Sequence, residues 1–167
     1  IDRADNVGAV AIAVREGTDK LNLLPRDPER TVITVGVVGE IYTVLEPFVN
    51  FQLEKQLGEM GVVICRQMWL SDWILHHIVL SGLRLKRTAR LYRSAEPYLK
   101  HFVGGHGLES VAHTVQMART GVDGVVHILP FTCMPEIVAQ SVLPLVGRDY
   151  QLPILTMVVD EHSAAAG

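Results

Sequence analysis

Four short runs of β-branched and aliphatic residues, each separated from the next by a longer stretch of other character, constrain this chain more than any other feature. Thr31-Val32-Ile33-Thr34-Val35-Gly36-Val37-Val38 comes first, Val62-Val63-Ile64-Cys65 second, and residues 125–129 and 154–159 complete the set. Runs that are apolar on both faces indicate strands of a parallel sheet covered on both sides. Parallel neighbours need a crossover, so helices must lie between them. Between the first two runs, Leu45, Phe48, Val49, Leu53, Leu57 and Met60 recur at three- and four-residue spacing. They predict one helix from about residue 42 to residue 60, closed by Gly61. Between the last two, Ile137, Val138, Ser141, Val142 and Leu145 predict another, ending near Gly147. The fold class is therefore α/β: a three-layer, Rossmann-like domain with a mostly parallel sheet of four or more strands.

The segment 69–123 is longer than a simple crossover, and its apolar groups predict two to four helices. Leu108, Val111, Ala112, Val115 and Ala118 form its clearest stripe, suited to a helical layer or a lid. Residues 4–14 have helical propensity, and residues 22–30, rich in Pro and charge, read as a connection. The organisation expected is an N-terminal helix and connection over 1–30, then a Rossmann-like domain over 31–167 with a helical insertion at about 69–123. A start at Ile1 and a close at Ala164-Ala165-Ala166-Gly167 read as a piece of a longer protein.

A formal charge of −3 argues against a dedicated nucleic-acid binder, whose affinity rests on surplus Lys and Arg. No run reaches the eighteen or so apolar residues of a membrane span. Two cysteines, Cys65 and Cys133, are too few for a disulfide framework, which favours a cytoplasmic protein.

In open α/β sheets, ligands bind at the C-terminal ends of the strands, near the point where strand order reverses. Four turns follow the predicted strand ends: Gly39-Glu40-Ile41-Tyr42, Met68-Trp69, Pro130-Phe131-Thr132-Cys133 and Asp160-Glu161-His162. Their polar members, Glu40, Tyr42, Cys133, Asp160, Glu161 and His162, are the candidate site. At a strand-to-helix turn, Cys133 lies near unpaired helix N–H groups, which favour a thiolate able to act as metal ligand or nucleophile. The spacing of these residues matches no compact zinc motif.

Other features have plainer readings. Cys65 lies within a strand and His127 interrupts an apolar one, so both read as core residues. Gly104-Gly105-His106-Gly107 precedes a helix without following a predicted strand, and so reads as a helix entry more than an anion-binding turn. Arg84, Lys86, Arg87, Arg90 and Arg93 read as a solvated basic helix face, with coenzyme A phosphates or an acidic protein as alternative partners. Gly36 and Gly39 lack the third glycine of a dinucleotide fingerprint.

Three stretches carry a family resemblance: residues 35–43, Val-Gly-Val-Val-Gly-Glu-Ile-Tyr-Thr; residues 130–136, Pro-Phe-Thr-Cys-Met-Pro-Glu; and residues 153–162, Pro-Ile-Leu-Thr-Met-Val-Val-Asp-Glu-His. In this order they resemble the 2-hydroxyacyl-CoA dehydratase and benzoyl-CoA reductase family, closest to its activase-associated branch. The resemblance spans roughly residues 31–167. It implies an iron–sulfur protein of anaerobic metabolism, in which an ATP-dependent activase, separate or fused, drives a low-potential electron through a [4Fe–4S] cluster to an acyl-CoA or similar substrate. Cys133 matches the cluster cysteine, while Glu40, Tyr42, Asp160, Glu161 and His162 line the cluster or substrate pocket. The full-length protein would be a lyase or reductase, paired as a homo- or hetero-dimer. A cubane needs three or four thiolates, so the 167 residues alone are expected to be inactive and without the cluster. The alternative is a non-catalytic α/β domain that binds a small ligand or docks the activase.

Overall fold

The computed structural model describes residues 6–25, 27, 29–67 and 89–160, with the backbone alone at 89 and 90. The chain divides into two compact units, Ile1–Thr31 and Val32–Gly167. The first holds helix α1, Val7–Asn22, capped by Asn6, whose Oδ1 accepts a 2.9 Å hydrogen bond from the Ala9 N–H. It runs two turns beyond the helix expected over 4–14, because residues 15–22 hold only one strong helix breaker, Gly17. None of its residues is buried.

In the second unit, the described elements run β1 (Thr34–Gly39), α2 (Ile41–Leu45), α3 (Leu53–Glu59), β2 (Val63–Arg66), α4 (Ala89–Ala95), α5 (Gly107–Thr120), β3 (Gly124–Pro130), α6 (Met134–Tyr150) and β4 (Ile154–Val159). The four strands pair in parallel in the order β2-β1-β3-β4. This is the α/β, Rossmann-like sheet that the apolar runs predict. β3 is the most buried strand, with Val125, Val126, His127, Ile128 and Leu129 all buried. At about 1.5–3 kcal/mol for each large aliphatic side chain removed from water, this strand anchors the unit.

One face of the sheet packs Val37, Ile128 and Val159 against Val44 of α2 and the 49–53 segment. The other packs Val38 and Val125 against Met117 of α5. On that side Leu108, Val111, Ala112 and Val115 of α5 meet Ala95 of α4 and Ala139, Leu143 and Val146 of α6. The α5 stripe is therefore a core layer and not a lid. Residues 68–88, which carry part of the expected insertion, most of the basic run and the Met68-Trp69 turn, lie outside the described residues.

Two helix expectations need correction. The single helix predicted over 42–60 is two short ones joined by a turn at 46–52. Pro47 cannot continue a helix and pushes Glu46 to an extended backbone, φ −91° and ψ 107°. Phe51 and Gln52 then take positive φ, 57° and 55°. Buried Asn50 holds the turn: its Nδ2 donates to the carbonyls of Thr43 (3.1 Å) and Val44 (3.0 Å), and its Oδ1 accepts from Leu53 N–H at 3.2 Å. Phe48 and Met60, assigned to the apolar stripe, are exposed. In α6 the buried face is Glu136, Ala139, Leu143 and Val146, while Ile137, Ser141 and Leu145 face outward. A buried glutamate sets that rotation, and it belongs to the site.

Candidate functional site at the sheet's switch point

From β1 the chain crosses to β2 on one side, then returns past β1 to β3 and on to β4. Strand order therefore reverses between β1 and β3, and their C-terminal ends carry Glu40 and Cys133.

Gly39 makes the approach possible. Its φ is 142°, and a Cβ there would collide with the Ile128 carbonyl oxygen, so only glycine lets β1 lie this close to β3. The Glu40 N–H donates to that same carbonyl at 3.2 Å. Glu40 caps α2: its Oε2 accepts from the Thr43 N–H at 3.0 Å, and the Thr43 hydroxyl donates back to the Glu40 carbonyl at 2.8 Å.

Cys133 is the N-cap of α6, reached through Thr132 at φ 67°, a strained value for a β-branched residue. The turn is tied down on both sides. Phe131 N–H donates to the Val159 carbonyl of β4 at 2.7 Å, and Cys133 N–H to the Pro130 carbonyl at 3.1 Å. Cys133 is half-buried. Burial pushes its thiol up from the ordinary value; the Glu136 backbone N–H opposes this, while the charges of Glu136 and Glu40 add to it. This corrects the expected thiolate: the helix N–H groups are present, but burial and two carboxylates outweigh them.

Of the other expected members, Tyr42 is 61% exposed on α2. Asp160 stands exposed at the end of β4, beside the turn that the Phe131–Val159 bond ties to that strand. Glu161 and His162 lie outside the described residues. Glu40 and Cys133 are thus the pair that the fold brings together. Cys65 is elsewhere, in mid-strand opposite Gly36 and packed toward Val38 and Met117.

Beneath Cys133 lies a group that the sequence reading missed. Glu136, one turn into α6, is fully buried, with its Oε2 2.8 Å from His127 Nε2 and its Oε1 accepting from the Ser110 hydroxyl at 3.1 Å. His127 is a paired core histidine, as its place in an apolar strand suggests. The available signal for Glu136 was its position three residues after the N-cap, where a carboxylate usually reaches back to cap its own helix.

Along the edge, a cavity of about 280 Å³ is walled by Val44, Leu45, Pro47, Asn50 and Arg66. Arg66 Nη1 lies 2.9 Å from Glu54 Oε1 at its rim.

No protein-family model, curated protein or solved structure matches the chain. Among the described residues, no three His, Cys, Asp or Glu side chains converge to hold a metal ion. No described helix is long and apolar enough to cross a membrane. A [4Fe–4S] cluster held by this chain alone does not fit. Cys65 lies within β2 while Cys133 caps α6 beyond the end of β3, a strand not adjacent to β2, so the site offers one thiol, whose pKa burial and then the Glu136 and Glu40 charges raise.

Proposed function

We propose that this chain is an α/β part of an iron–sulfur protein of the 2-hydroxyacyl-CoA dehydratase type, acting in ATP-driven, low-potential electron transfer to an acyl-CoA or similar substrate. In this reading Cys133 is one cluster ligand, the other thiolates come from outside the 167 residues, and Glu40 with the end of β4 lines the same pocket. The observation that carries it is the placement of Glu40 and Cys133 just past the C-terminal ends of the adjacent strands β1 and β3, at the switch point, since they come from two of the three motifs that resemble the family. A partner that brings further thiolates and excludes water would complete the site, and the activase would dock beside it. The test uses the native protein isolated without oxygen, with iron, acid-labile sulfide and the EPR spectrum measured. Cys133→Ser should lose the cluster and Cys65→Ser should keep it. Equal cluster content in both variants overturns the ligand assignment.

A second reading, a non-catalytic ligand-binding domain, is favoured by the cavity beside Arg66 and by a thiol that holds its proton. It predicts native protein free of iron and sulfide.

A further inference from the structure

Glu136 occupies the third position of α6, three residues after the cap. A glutamate there normally turns back to the cap's backbone N–H. Here that N–H goes to the Pro130 carbonyl instead, and the carboxylate turns inward. It meets His127 of β3 at 2.8 Å and Ser110 of α5 at 3.1 Å, and all three residues have no exposed surface. Thr114, also fully buried, donates to the Ser110 carbonyl at 2.7 Å and holds that turn of α5. Three elements are thus joined through one carboxylate, directly under a cap whose preceding residue, Thr132, is strained. Such strain persists only where the surroundings over-determine it.

We propose that Glu136, with His127 and Ser110, is a positioning residue for Cys133: the buried network pins the first turn of α6 to the sheet and to α5, and so keeps the sulfur at the switch point. That this placement serves a ligand rests on the functional reading above; the pinning does not, and its test needs no metal. The experiment is alkylation of the folded 167-residue chain by iodoacetamide, with Cys133 and Cys65 followed separately by mass spectrometry. Glu136→Ala should speed Cys133 by roughly tenfold through local opening, while Cys65 keeps its rate. Glu136→Gln, which preserves hydrogen bonds to His127 and Ser110 without the charge, should bring Cys133 back toward the native rate. Ser110→Ala, a milder change, should give a smaller increase and covers the case in which Glu136→Ala does not fold. If both cysteines accelerate together, the network only stabilises the whole unit and the proposal fails. If Glu136→Gln behaves like Glu136→Ala, charge and not anchoring controls the sulfur, and the proposal fails as well.

Discussion

His127 Nε2 and Glu136 Oε2 stand 2.8 Å apart with both side chains fully buried, one on the central strand and one in the first turn of the helix that carries Cys133. Removing one partner of such a pair strands the other in a low-dielectric interior. His127→Leu should therefore cost about 3–5 kcal/mol. The double change His127→Leu with Glu136→Leu should cost clearly less than the two single changes added together, because neither polar group is then left unpaired. Urea denaturation of the three variants checks this, and simple additivity would show that the pair is not coupled.

Gly39 should be the least replaceable glycine of the site. Gly39→Ala meets both a positive φ of 142° and the Ile128 carbonyl, a backbone atom that cannot move aside. A loss of about 3 kcal/mol or more is expected, with faster alkylation of Cys133 as β1 and β3 part. Gly36→Ala, where the nearest obstacle is the flexible Met117 side chain, should cost less. Denaturant midpoints of the two variants give the comparison.

The Cys133 thiol should be slow toward iodoacetamide at neutral pH, with its rate rising to a half-point above the ordinary 9.0. Burial is the leading cause and the Glu136 and Glu40 charges follow, so Glu40→Gln should lower the half-point only modestly. A rate–pH profile with a half-point below 9.0 would contradict the picture of a proton-holding thiol.

His113 should make the protein acid-sensitive. Burial lowers its pKa to about 4 from 6.5, while its Nδ1 stays 2.9 Å from Gln67 Oε1. Between those two values the unfolded chain binds the proton more readily than the folded one. Stability is then complete above about 6.5 and is lost as pH falls toward 4, by up to about 3 kcal/mol. His113→Gln should flatten that part of the stability–pH curve, measured by urea midpoints from pH 4 to 7. An unchanged slope would assign the acid sensitivity to other groups.

The parallel sheet was legible because its strands are apolar throughout, a local pattern, although only the central β1 and β3 are well buried and the edge strands β2 and β4 leave Val63, Leu155 and Val158 exposed. The break at 46–52 was not. The apolar spacing continues across Pro47, and what replaces the helix is Asn50, whose three hydrogen bonds reach from residue 43 to residue 53. The buried face of α6 was misjudged for a related reason. Hydrophobic periodicity ranks Ile137 and Leu145 above Glu136, yet a carboxylate becomes a core residue once His127 and Ser110 satisfy it.

By itself, the sequence determined the α/β class and the four strands, since each follows from residue types within a few positions. Only the tertiary structure decided which turns meet. Placing β3 beside β1 brought Glu40 and Cys133 to neighbouring strand ends and left Cys65 in mid-strand opposite Gly36. Strand order depends on packing between residues some ninety positions apart. The Cys133 thiol is decided there too: burial first, then the charges of Glu136 on its own helix and of Glu40 across the switch point, raise its pKa against the helix that was expected to ionise it.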